Sequence, residues 1–229
     1  LSSSSAASDV YKRQVEKKIK KLFLDDLITK VKNLKVGFQK LELNSYGPLV
    51  SDDHLNNVQN YIKLAKDEGG EIILDGREIN DRRNSDKKGY FLGPTLIDSV
   101  KPNMKSYLNE IFGPVLQIIE IDNIEEGIQI INQNSFGNGC CIFTENGNYA
   151  REFSEKVDIG MVGVNIPLPV PSSFHSFGGW KNSLFGDLNI YGPDGLRFYT
   201  RRKTVTQRWF GNSDICLLYT SPSPRDLST

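Results

Sequence analysis

The sequence is poor in the side chains that carry metal and disulfide chemistry. It holds only 3 cysteines and 2 histidines in 229 residues. His54 and His175 lie far apart in the chain, and neither opens a ligand-spacing motif, so no metal site is expected. Three cysteines leave little room for a disulfide scaffold, and free thiols suit a reducing compartment. Excess charge is also missing: Lys plus Arg is 28 and Asp plus Glu is 28. A balanced chain has no electrostatic footprint for nucleic acid. Long hydrophobic runs are absent. The apolar stretches are strand-sized, such as Val115 to Ile121, which Gln117 and Glu120 interrupt. A bilayer span needs about 20 apolar residues, so no membrane partner is expected. No internal repeat is present.

What is there is enough for one large domain or a domain and a half, with a real core. The ends look different from the middle. Residues 1–14 start at Leu1 and are Ser/Ala-rich, with neither the basic lead nor the apolar centre of a signal peptide. Residues 212–229 have no helical or strand period and finish Pro/Ser-rich. Both tails resemble translated adaptor sequence and are set aside from the fold. The other reading is a pair of disordered native tails. On the first reading, residues 15–211 are an internal piece of a longer protein.

Between the tails, two periodicities alternate. Val15, Ile19, Leu22, Phe23, Ile28, Val31 and Leu34 predict an amphipathic helix with lysines on its outer face. Ser51 is placed to cap a second helix whose buried face is Leu55, Val58, Ile62 and Ala65, ended by Gly69-Gly70. On it, His54 falls in the first turn and is expected to be solvated. Ile72 to Leu74 reads as a short strand, and 78–88 as a charged exposed loop. Val115 to Ile121 is a β-branched strand. Asn123 and Glu126 have capping-box spacing before Ile124, Ile128 and Ile131. Cys140 to Phe143 is a strand. Tyr149, Phe153 and Val157 mark a helix with Arg151 and Glu155 as an exposed pair. Met161 to Asn165 is a strand, and the prolines at 167, 169 and 171 force an extended loop. Leu196 to Val205 reads as β-rich. Strands alternating with helices give an α/β class with at least part of the sheet parallel.

Two constellations carry chemistry. In Glu110-Ile111-Phe112-Gly113-Pro114 a carboxylate offers two acceptor oxygens, which match two neighbouring hydroxyls such as a ribose diol. An aromatic two residues on offers a flat wall for a ring. Equally, Glu110 could be a surface acid and Phe112 a core residue. Phe177-Gly178-Gly179-Trp180-Lys181, with Gly186, Gly192 and Gly195, marks backbone that turns tightly or approaches something closely; an elaborate loop without a ligand fits the same spacing.

The order of Tyr46-Gly47-Pro48-Leu49, Gly89 to Leu96, Glu110 to Val115, Phe177 to Lys181 and Tyr199 to Thr206 resembles the C-terminal part of the aldehyde dehydrogenase superfamily. Within it, Gly163 to Pro171, Gly137-Asn138-Gly139 and the closing Gln207-Arg208-Trp209 look most like the CoA-acylating methylmalonate-semialdehyde and malonate-semialdehyde branch. His175, where that branch tends to carry an aromatic, and Ser45, where an acid often precedes the Gly-Pro-Leu block, depart from the pattern.

The resemblance implies a partial aldehyde dehydrogenase catalytic domain over 15–190 and an oligomerisation strand within 191–211. Glu110 would bind the nicotinamide ribose of NAD, and Phe112 would pack beside the nicotinamide. Phe174 and Phe177 would line the aldehyde tunnel, or else close the core beneath the loop. Leu196 to Thr206 would pair with a neighbouring subunit in a dimer or tetramer, and Arg197, Arg201 and Arg202 would guard that edge against random pairing. The family's nucleophilic Cys would lie upstream of residue 15. Cys140 and Cys141 read instead as small apolar strand residues, and Cys216 falls in a tail. The parent would oxidise a semialdehyde with NAD, lose carbon dioxide and pass the acyl group to CoA, in mitochondria if eukaryotic and in the cytoplasm if bacterial. The fragment alone would be inactive. A non-acylating dehydrogenase, and a non-catalytic self-association module, are the competing readings.

Overall fold

A four-stranded sheet carries the main core, and its strands come from well-separated parts of the chain. The computed structural model describes residues 12–37, 44–77 and 89–209. In chain order the elements are β1 (Lys12–Glu16), α1 (Lys17–Lys32), α2 (Asp52–Asp67), β2 (Glu71–Leu74), β3 (Thr95–Asp98), α3 (Lys105–Leu108), β4 (Val115–Ile121), α4 (Ile124–Gln133), β5 (Phe136–Gly137), β6 (Gly139–Ile142), α5 (Gly147–Lys156), β7 (Met161–Val164), β8 (Trp180–Lys181) and α6 (Gly192–Tyr199). The main sheet runs β1-β4-β3-β2. β4 is parallel to both β1 and β3, and β2 closes the edge antiparallel. β6 and β7 form a separate parallel pair, and β5 and β8 a short antiparallel one. The α/β class with a partly parallel sheet is the one expected.

β4 is central because a run of Val and Ile tolerates burial on both faces. In register with β3, its residues 115, 117, 119 and 121 share a face with Thr95 and Ile97. α2 packs there through Leu55, Val58, Ile62 and Ala65. The opposite face carries Asp98 and Glu120, and Lys20 of α1 reaches both. A second cluster, Ile128, Phe153, Val157 and Ile159, joins α4, α5 and the chain leading into β7. No helix among the described residues is long and apolar enough to cross a membrane.

The helix ends follow their sequence signals. Ser51 Oγ accepts from the His54 amide at 3.1 Å. At the far end of α2, Gly69 sits at φ +102°, a conformation that suits glycine. The Gly70 amide returns to the Ala65 carbonyl and the Gly69 amide to Lys66, a Schellman closure. Asn123 Oδ1 accepts from the Glu126 amide, while the Glu126 carboxylate takes the Asp122 amide.

Several expectations are corrected. Val15, with Lys12, Arg13 and Gln14 from the segment set aside, belongs to β1 rather than to a helix or a tail. The helix starts at Lys17, and its apolar stripe is uncovered: Ile19 and Leu22 are exposed. The β-rich end is also different. Gly192–Tyr199 is helical, with Pro at its first turn, Asp194 beside it and an Asp194–Arg197 ion pair at 3.3 Å. Those helix-start signals outweigh the strand propensity of Phe198, Tyr199 and Thr200. Residues 200–209 are exposed and form no ladder within the described chain. Arg151 donates to Asn148 rather than pairing with Glu155. Residues 78–88, expected as a loop, and Cys216 lie outside the described residues.

Candidate functional site

The turn between α3 and β4 holds Glu110 and Phe112 in place from both sides. Ile111 is buried in the main core and anchors the middle of the turn. Val115 and Thr95 tie its exit: the Val115 amide bonds the Gly113 carbonyl at 2.7 Å, and the Thr95 amide bonds the Pro114 carbonyl at 2.8 Å. Gly113 runs so close to α2 that a Cβ there would meet both Val58 methyls, at 2.8 and 2.9 Å. With Ile111 pointing in, its neighbours Glu110 and Phe112 point away from the core.

Glu110 is half-buried and faces a concavity of 1720 Å³. Its carboxylate has no hydrogen-bond or ion-pair partner among the described residues, so its acceptor capacity is open. A carboxylate free at a cavity wall fits a vicinal diol, the group a nicotinamide ribose would present. The same cavity is lined by Gln14, Tyr107 and Asn134. Phe112 adopts φ +56° and is 47% exposed. It lies outside the cavity lining, and its ring meets His54 edge-on at 6.4 Å.

His54 is the neighbour that sequence reasoning missed. It is half-buried rather than solvated, and its Nε2 lies 2.8 Å from the Phe112 carbonyl oxygen. A carbonyl only accepts, so Nε2 carries the hydrogen and donates. The Ser51 cap was the available signal: it fixes His54 in the first turn, where a side chain leans back past the helix N-terminus.

Phe174 and Phe177 do not join this site. Phe174 is exposed and tilts against the His175 ring at 4.3 Å. Phe177 is half-buried and stacks on Tyr191 at 4.8 Å. The loop carrying both is tied to the start of α6, through the Gly192 amide on the Ser173 carbonyl and the Asp194 amide on Ser176 Oγ. Neither ring lines the cavity that Glu110 faces.

Cys140 and Cys141 do line it, as free thiols on β6. Burial, with Cys141 alongside, pushes the Cys140 thiol up to about 12. Burial also raises Cys141, against the opposing pull of Arg13 and the Gly163 amide. A nucleophilic cysteine needs a lowered value, so neither is prepared for attack on a carbonyl. Among the described residues no group of three or more His, Cys, Asp or Glu side chains could hold a metal ion.

The profile of the aldehyde dehydrogenase family matches residues 6–205. A malonate-semialdehyde dehydrogenase of Pseudomonas aeruginosa is 49% identical over 185 residues, which cover 80% of this chain and 36% of that protein. The crystal structure of a methylmalonate-semialdehyde dehydrogenase from Oceanimonas doudoroffii superposes with a TM-score of 0.85 at 43% identity, over 91% of this chain and 43% of that one. A Sinorhizobium meliloti structure, assigned as a methylmalonate-semialdehyde dehydrogenase and complexed with NAD, gives 0.85 at 37% identity over the same 91% and 43%. The chain thus spans less than half the length of each of these proteins.

Proposed function

The chain belongs to the aldehyde dehydrogenase family, and on that membership we propose that it is the catalytic-domain section of an NAD-dependent, CoA-acylating dehydrogenase of malonate or methylmalonate semialdehyde. The observation that carries this reading is the Glu110 carboxylate at the cavity wall, unpartnered among the described residues, in a chain 49% identical to a malonate-semialdehyde dehydrogenase.

When bound, NAD accepts the hydride. In this reading Glu110 accepts hydrogen bonds from the two ribose hydroxyls and so fixes where the nicotinamide stands. Phe112, which stands outside the cavity lining, takes its place beside the nicotinamide only if the bound ring reaches past the cavity rim. By the family resemblance the thiol nucleophile comes from a part of the parent upstream of residue 15, and burial, which raises both thiols, suits Cys140 and Cys141 poorly to that role. Leu196 to Thr206 takes the role of a self-association surface, with Leu196, Phe198, Tyr199 and Val205 exposed along it. Phe174 and Phe177 keep a place near the aldehyde only if the parent's other segments complete a tunnel around them.

The test is kinetic and uses the complete enzyme. NADH formation from semialdehyde is measured with and without CoA, for the wild type and for Glu110→Gln. Turnover that requires CoA, with a raised KM for NAD in Glu110→Gln, supports the reading. Turnover without CoA that releases a free acid assigns the non-acylating reaction instead. Unchanged NAD kinetics in Glu110→Gln remove the cofactor assignment. The 229-residue chain alone is expected to form no NADH.

A further inference from the structure

We infer that His54 is a positioning residue for the cofactor turn: its imidazole holds the Phe112 carbonyl and thereby fixes the left-handed backbone that aims Glu110 and the Phe112 ring. The inference rests on the proposed cofactor roles of those two residues.

Phe112 is a bulky residue at φ +56°, a conformation that persists only where the surroundings impose it. Its own side chain cannot impose it, because the ring is 47% exposed. The preceding residue is held by Ile111 in the core, and the following one by the Val58 methyls. Between these two supports the peptide of Phe112 has, among the described residues, one polar tether, the 2.8 Å bond from His54 Nε2 to its carbonyl. That tether is itself rigid. The His54 amide caps on Ser51 Oγ, the next amide, Leu55, bonds the Ser51 carbonyl at 3.0 Å, and the Leu55 side chain is buried in the core. His54 does not line the cavity that Glu110 faces, so it acts through the turn and not on the cofactor.

The test compares two amides at position 54 in the complete enzyme. In His54→Gln the side-chain nitrogen lies about as far from the backbone as Nε2 and keeps a donor near the carbonyl. In His54→Asn the same amide is one methylene short and the donor is withdrawn. Three quantities are read: NAD affinity of the apoenzyme by calorimetry, KM for NAD against kcat, and amide hydrogen exchange of the 110–114 segment without NAD. His54→Asn is expected to weaken NAD binding and raise its KM roughly tenfold with a smaller change in kcat, since a displaced turn misplaces its groups. It should also speed exchange across 110–114. His54→Gln should stay within about threefold of wild type in all three, as the donor is retained. Equal losses in both variants would overturn the inference, because the donor would then not be the cause. So would wild-type NAD affinity in His54→Asn while Glu110→Gln is weakened, an outcome that leaves the cofactor reading standing. If Glu110→Gln also binds NAD normally, the cofactor reading falls and this inference with it. Should His54→Asn not fold, loss of NAD affinity in a folded His54→Gln would overturn the inference, and its retention would support it.

Discussion

The ammonium of Lys20, on α1, lies 2.9 Å from a carboxylate oxygen of Asp98 at the end of β3 and 3.1 Å from Glu120 on β4. The Lys20 and Asp98 side chains are only 16% and 9% exposed, and the other Asp98 oxygen is buried with no hydrogen-bond partner among the described residues. Burial opposes the charge on Lys20, but the hydrogen bonds to Asp98 and Glu120 outweigh it and raise its pKa above the ordinary 10.5. A raised value in the folded state means stability that is present below 10.5 and is lost as pH climbs through the folded value. Lys20→Met removes the partner and strands the Asp98 charge, which should cost about 2–3 kcal/mol in urea unfolding of the chain at pH 7. Adding Asp98→Asn should recover most of that loss. A double variant no more stable than Lys20→Met would show that the cost was packing, not charge.

Glu68 closes the other side of the same sheet. Its carboxylate accepts from the Lys105 amide at 2.8 Å, the Ser106 amide at 3.1 Å and Ser106 Oγ at 2.8 Å, capping the short α3 that precedes the 110–114 turn. Desolvation pushes its pKa up, but the Ser106 and Lys105 hydrogen bonds win and hold it below the ordinary 4.5. A lowered value means stability that is present above 4.5 and is lost as pH falls through the folded value. Glu68→Gln should therefore cost about 1–2 kcal/mol at pH 7. The gap from wild type should close at acid pH, which denaturant midpoints between pH 7 and 3 will show. A gap independent of pH would mean that the charge is not what the amides recognise.

Periodic and capping signals were legible wherever the cause is local. β4 runs Val115–Ile121 as its β-branched sequence implies, and α2 begins at the Ser51 cap and ends at Gly69. α6 was misread because Phe198, Tyr199 and Thr200 favour strands, while Pro193 and Asp194, four to seven residues earlier, decide for a helix. β1 was missed because Lys12, Arg13 and Gln14 are polar and carry no period; they are strand because β4 offers its free edge to them. At the site, the Glu110 to Pro114 motif was visible as a motif. The His54 bond to Phe112 was not, since it spans 58 residues and runs from a side chain to a carbonyl, leaving no pattern in either segment.

The two neighbouring thiols should behave differently toward iodoacetamide. Alkylation proceeds through the thiolate, and burial has pushed Cys140 to about 12. Cys141 is raised as well, but the Arg13 charge and the Gly163 amide work in the opposite direction. In the folded chain at pH 8, peptide mass spectrometry should find carbamidomethyl on Cys141 well before Cys140. Both should label more slowly than in urea. Faster labelling of Cys140 would contradict its burial, and labelling of both at the unfolded rate would show that β6 does not form.

The contact between Gly113 and Val58 offers the sharpest check on how the turn is seated. A Cβ at residue 113 would fall 2.8 and 2.9 Å from the two Val58 methyls, closer than carbon atoms can sit. Val58 is fully buried on α2, so it cannot swing away, and Gly113→Ala must push the turn off the helix. Overpacking of this kind costs about 1–3 kcal/mol. Val58→Ala by itself leaves a cavity, at about 2 kcal/mol for the lost methyls. In the double variant the new methyl enters the space the old ones left. The two changes should therefore cost less together than the sum of their separate costs, with a coupling of about 1 kcal/mol or more, as expected of residues in direct contact. Urea unfolding of the four chains measures it. Simple additivity would mean that the turn does not rest on α2 and that Glu110 and Phe112 are held by something else. A coupling of the stated sign would fix the turn on the helix that also carries His54, and so set both of its supports on one rigid element.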